Sequence, residues 1–276
     1  LGGLVGSEMC IRDRSMFFGL SIGPLLGGFI NDRFSLQTAF ICMGLLAFIG
    51  FGLSLVFLPP IKLERVFRRK REPATWRHLL KDRVIAGLFV FRFAYTACIG
   101  VIWAFLPVFA DSAFALSSSA IGVLIMLGVF VSGSIHTPMG YLADRINKLV
   151  MITVGGLVVG YAILSFEWST GFGDLFVASV LFGLGGGIAM PAHMAIAVMK
   201  GDQTAAMGSV MALMTMAHSM GMLVGSLLAG MLMDWYQLRL AFTSGAVIMI
   251  AGVILFGICA YPATAERHVP VEQELE

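Results

Sequence analysis

The chain has 276 residues, 58% of them hydrophobic and only 12% charged, with a formal net charge of +2. An average soluble domain carries roughly twice that share of charge, so a water-soluble globule is excluded and hydrocarbon is the solvent that fits. The 33 glycines agree, because small side chains let helices approach closely in lipid.

In chain order, apolar runs occupy about 16–31, 39–58, 84–109, 119–141, 149–167, 174–198, 207–233 and 240–261. All but the first are of spanning length. They predict an all-α, polytopic membrane bundle of about eight transmembrane helices joined by short polar loops. The long polar segment is 59–83, with Arg68, Arg69, Lys70 and Arg71 in succession. Between two membrane spans such a run reads as a cytoplasmic linker held inside by its charge, with no nucleic-acid partner. Alternating the spans from that linker puts 13 Lys and Arg on the cytoplasmic side, against Arg33 and Arg239 outside. The tail, 263–276, is then cytoplasmic. Cys10, Cys42, Cys98 and Cys259 have no metal-ligand spacing and read as small buried hydrophobes. No metal or cofactor is expected.

An internal repeat organises the spans. Gly19–Phe40 (GLSIGPLLGGFINDRFSLQTAF) aligns without a gap to Gly221–Phe242 (GMLVGSLLAGMLMDWYQLRLAF), and nine of 22 positions are identical. The matches include Gly19/Gly221, Gly23/Gly225, Gly28/Gly230, Asp32/Asp234 and Phe40/Phe242. Both copies run the same way across the membrane, so the repeat predicts two similar halves of about six helices each. Gly19, Gly23 and Gly27 recur at i+4 and are expected to admit a neighbouring backbone. Pro24 removes an N–H and is expected to bend its helix.

The stretch Gly19–Ile30 (GLSIGPLLGGFI), with Gly23, Pro24, Gly27 and Gly28, resembles the fifth-helix signature of drug:proton antiporters of the major facilitator superfamily. Gly140–Lys148 (GYLADRINK) resembles that superfamily's short cytoplasmic loop motif in its second-half copy. Gly140, Asp144, Arg145 and Lys148 match it, while Asn147 replaces the usual glycine. The resemblance implies twelve helices in two six-helix domains that rock about a central cavity. It implies that residues 16–58 are helices five and six of the first domain, 59–83 the linker and 84–262 the complete second domain. Helices one to four would then be missing. Ser7–Ser15 (SEMCIRDRS) resembles translated sequencing-adapter sequence, so 1–15 is expected to be non-native.

Candidate chemistry is sparse. Asp32, Asp111, Asp144, Glu167, Asp174 and Asp234 all fall at span ends or in loops, so a proton-carrying acid is expected from the missing helices. Arg92 lies about 12 Å inside its span, where an arginine must pair, meet water or snorkel to the surface. It shares a helical face with Tyr95, Thr96, Ile99 and Trp103, which suits a cavity wall. His218, with Thr215 and Met222 on its face, and His193 on the preceding span are further cavity candidates. The alternative is a neutral histidine bonded across helices. Met190 belongs to a methionine-rich pair of spans that suits either a permissive pocket or ordinary packing. Gly185–Gly187 and Pro191 are expected to loosen or kink the span 174–198, making it a moving element.

The resulting expectation is a secondary transporter exporting small amphipathic compounds against proton entry, and not an enzyme. The alternative is an uptake permease for sugars or organic acids. The small-molecule substrate, the proton and the bilayer are the expected partners, in the cell inner (plasma) membrane. The spans at 84–109, 119–141, 174–198 and 207–233 are expected to line the cavity. Asp144 is expected to reach the start of the helix near Met16–Phe18, where Gly221 and Gly225 have their first-half counterparts close by, and to latch the two domains.

Overall fold

A computed structural model describes residues 2–58, 79–235 and 240–265, without the side chains of 2–16, Asp234 and 262–265. The Arg68–Arg71 run, Arg239 and the tail from residue 266 lie outside the described residues. Within them the chain is helical throughout. The elements are α1 (Gly2–Arg33), α2 (Leu36–Phe57), α3 (Arg83–Phe114), α4 (Ser118–Ala143), α5 (Lys148–Glu167), α6 (Phe172–Gln203), α7 (Met207–Trp235) and α8 (Leu240–Ala265). Helices α2 to α8, seven in all, are long and apolar enough to cross a bilayer. α1 continues its short apolar run backwards through Arg14, Asp13 and Arg12 to Gly2, so the segment 2–15 is helical.

Polar residues at the turns start the helices. Ser35, Asp82, Ser117 and Asn147 each accept a bond from a backbone N–H of the turn that follows, at α2, α3, α4 and α5 respectively. These are donors a helix start leaves orphaned. Asn147 is thus the N-cap of α5, which gives a physical reason for asparagine at the position where the loop motif usually has glycine. Asp82 also accepts an ion pair from Lys200 at 2.5 Å, tying the start of α3 to the end of α6. Burial pulls the Asp82 carboxyl upward, but Lys200 and the Val84 N–H outweigh it and hold the group below its ordinary value.

α3 is the centre of the bundle and packs against α7 and α8, with α6 behind it. Phe242 of α8 is buried between Phe109 of α3 and Phe166 of α5, its ring centroid 5.4 Å from each. Phe91 and Phe256 repeat the arrangement toward the other end at 5.6 Å. The α3–α7 crossing is close because Gly221 and Gly225 present no side chain. A Cβ on Gly225 would lie 2.6 Å from the Ala97 Cα, and one on Gly221 would strike the Thr96 hydroxyl. The second-half copy of the repeat therefore packs as its glycines predict.

The first copy packs on a different face. Among the described residues Gly19, Gly23 and Gly27 have nothing within 4 Å of a Cβ position, so no helix of this chain makes a close approach along them. Instead α1 meets α4 through Phe17, Pro24 and Gly28. A Cβ on Gly122 would sit 2.5 Å from the Pro24 carbonyl oxygen, and one on Gly28 2.7 Å from the Ser118 carbonyl carbon. The helix continues unbroken through Pro24. At the far end of this seam Asp32 crosses to α4, accepting from the amides of Ser118 at 3.0 Å and Ser119 at 2.7 Å and from the Ser119 hydroxyl. Asn31 donates to the Ser118 hydroxyl at 2.7 Å. The Ser119 hydroxyl and amide, then the Ser118 amide, hold the exposed Asp32 carboxyl down at about 2. Among the described residues α2 contributes none that is buried.

Candidate functional site

Between α1, α3, α4, α6 and α7 lies a cavity of about 730 Å³. α5 contributes Phe166 and α8 nothing. The four spans expected to line it therefore do, joined by Phe17 and Leu20 of α1. Its walls are apolar and aromatic, with Tyr95 stacked on Phe182 at 5.9 Å and 4°. Ser132, His136, Thr137, Ser179 and His218 add polar groups to those of the Tyr95, Tyr141 and Trp103 rings. Among the lining residues Arg92 is the one permanent charge, and no carboxylate faces it.

Arg92 is carried by the first third of α3 (Arg83–Phe114). One terminal nitrogen, Nη1, donates to the Met190 Sδ at 2.8 Å, and the other, Nη2, is 3.4 Å from His218 Nδ1. Its Nε is buried with no hydrogen-bond partner. A thioether is a weak acceptor and an imidazole a neutral one, so among the described residues nothing of opposite charge balances the guanidinium.

Five of the predicted cavity residues come together: Arg92, Tyr95, Trp103, Met190 and His218. Three do not. Thr96 is fully buried at the α3–α7 crossing, its hydroxyl donating to the Arg92 carbonyl at 2.9 Å. His193 is fully buried behind the wall, with Nε2 3.0 Å from the Leu88 carbonyl oxygen. Thr215 is exposed and donates back to the Met211 carbonyl at 3.0 Å. A helical face about 100° wide includes flanks that turn toward neighbouring helices, and these residues occupy the flanks.

Three glycines in a row shape the wall. A Cβ on Gly185 would lie 2.8 Å from the Gly155 carbonyl oxygen of α5, on Gly186 3.2 Å from the Tyr95 ring of α3, and on Gly187 3.1 Å from Ile135 of α4. Successive residues point about 100° apart, so each serves a different neighbour. α6 runs helical through them and through Pro191; their role is close contact, in place of the loosening the sequence predicted.

The loop motif also differs from expectation. Gly140 lines the cavity with nothing within 4 Å of its Cβ position. Arg145 donates to the Tyr141 hydroxyl and lies 4.5 Å from that ring's centroid. Lys148 opens α5, and Asp144 is exposed at the end of α4. In this chain α1 is helical from Gly2 onward, so Met16–Phe18 lies within the helix and not at its start. α1 meets α4 earlier, where the Phe17 and His136 rings are 4.8 Å apart. Phe17, Leu20 and Ser132 were absent from the predicted wall; Ser132, His136 and Thr137 at helical spacing in an apolar run were the readable signal, whereas the α1 residues needed the tertiary pairing.

A sequence profile of the Major Facilitator Superfamily matches residues 6–198 and, in a second placement, 92–275. The chain belongs to this superfamily. With seven helices of spanning length it is a multi-pass membrane member of it. An uncharacterized MFS-type transporter of Methanocaldococcus jannaschii is 23% identical over 261 residues, covering 91% of this chain and 66% of the relative. The MFS-type transporter SLC18B1 of Rattus norvegicus is 25% identical over 256 residues, covering 87% and 54%. That of Mus musculus is 24% identical over 259 residues, with the same coverage of 87% and 54%. The chain thus spans between about half and two thirds of the length of these Major Facilitator relatives.

Proposed function

We propose that the chain is the larger part of a secondary active transporter, working by alternating access and exporting small amphipathic compounds against proton entry. The observation that carries this reading is the cavity itself: about 730 Å³, mostly apolar and aromatic, within a bundle of membrane-spanning helices. Volumes of this order suit ligands of drug size. A sugar permease would need a wall dense in donors and acceptors, and the polar groups here are few. The drug:proton antiporter resemblance of Gly19–Ile30 supports the same direction. Helices equivalent to the first four of the superfamily would complete the cavity and supply the acid that carries the proton.

In this reading residues 16–58 belong to the first domain, 84–262 form the second, and 1–15 are foreign to the native protein. The protein resides in the cell's inner (plasma) membrane with its C-terminus in the cytoplasm, which a reporter fused after Glu276 tests. The decisive experiment is efflux from cells or proteoliposomes carrying the full-length protein. Efflux should collapse when the proton gradient is dissipated; efflux that persists without any ion gradient would reject the mechanism.

A further inference from the structure

We infer that the cavity takes an organic anion, a compound with an apolar or aromatic body and a carboxylate that seats on Arg92. The inference rests on the transporter reading above and narrows its substrate class.

Three observations converge. Arg92 is the one permanent charge on the wall, and no aspartate or glutamate is among the lining residues. Its guanidinium has a thioether at 2.8 Å and an imidazole nitrogen at 3.4 Å, while Nε has no partner. Elsewhere in the described residues a buried cation is handled differently, since Lys200 has the Asp82 carboxylate at 2.5 Å. A guanidinium with no counter-ion among the described residues is costly inside a membrane bundle, and an anionic ligand offsets that cost.

The surroundings fit such a ligand. A planar fork of N–H donors matches a carboxylate better than it matches any neutral acceptor. With Nδ1 accepting from the guanidinium, neutral His218 carries its proton on Nε2 and is a second donor on the same wall. Trp103 and the Tyr95–Phe182 stack give the wall an aromatic surface for the body, and Met190, Met194 and Met222 adapt to its outline. On this wall a cationic amphipath of the same shape would meet the Arg92 charge and, among the described lining residues, no carboxylate.

The test uses the full-length protein in lipid nanodiscs and three probes with one body and different heads: 4-phenylbutyrate, 4-phenylbutan-1-ol and 4-phenylbutylamine. The carboxylate should bind about tenfold tighter than the alcohol, in line with a charge-assisted pair, and the amine weakest. Arg92→Gln should erase that preference and Arg92→Lys should keep most of it; if Arg92→Gln fails to fold, the wild-type order and the lysine variant decide. Equal binding of all three, or tightest binding of the amine, overturns the anion assignment and leaves the transporter reading standing. Failure of every probe to bind overturns both.

Discussion

Arg92 illustrates how one side chain can set a site's character. In the reconstituted full-length protein Arg92→Ala should lower transport at least ~10-fold, while alanines at Arg68–Arg71 should leave the rate within about twofold. Equal losses in flux assays would return Arg92 to a snorkelling role. A second expectation concerns packing. Gly225→Leu inserts a side chain where a Cβ already lies 2.6 Å from Ala97, so it should destabilise by about 1–3 kcal/mol or more, measured as a lower thermal midpoint in detergent. Periodicity alone located Arg92, Tyr95 and Trp103, because a charged or amphipathic residue deep in an apolar run has few places to point. It could not sort Thr96, His193 and Thr215 from them. Those residues sit 40–60° around their helices from the cavity line, and only the positions of α7, α3 and the lipid decide what each one meets.

Between whole elements, the α1–α4 seam is the informative one. Its polar end is the Asp32 clasp on Ser118 and Ser119, and its other end is Phe17 against His136. Asp32's folded pKa is depressed from 3.8 to about 2. The clasp therefore contributes fully above about pH 4 and is lost as pH falls from there through about 2. Spin labels at positions 29 and 121 should report a constant separation from pH 7 to 5 and a wider one when Asp32 is replaced by Leu; no change in Asp32→Leu would show that packing alone holds the seam. The helices themselves were legible in the sequence, since each apolar run became one, with ends extended by the polar residues that tolerate the membrane interface. The seam was not. Gly19, Gly23 and Gly27 and the alternative pair Pro24 and Gly28 are equally small, and nothing local to α1 says which face meets α4.

For the whole molecule, the repeat and the family resemblance fixed the class of architecture, while the cavity depends on helices far apart in the chain. The transport prediction belongs here: the isolated 276-residue chain should show no vectorial uptake or efflux in proteoliposomes, because part of the cavity wall is proposed to lie in helices outside it. Activity of the isolated chain would refute that division. The three glycines of α6 add a mechanical consequence. With α5, α3 and α4 each seated against bare backbone at Gly185, Gly186 and Gly187, α6 has no side-chain cushion there and little slack in any radial direction. Such a junction transmits force like a keyed shaft, turning its neighbours with it. In the two-domain reading proposed above, α1 and α4 belong to different domains, so the motion is expected at their seam while the helices from α3 to α8 swing as one stiff body. Label pairs bridging α5 and α6 should keep their spacing through a transport cycle while pairs bridging α1 and α4 separate and close.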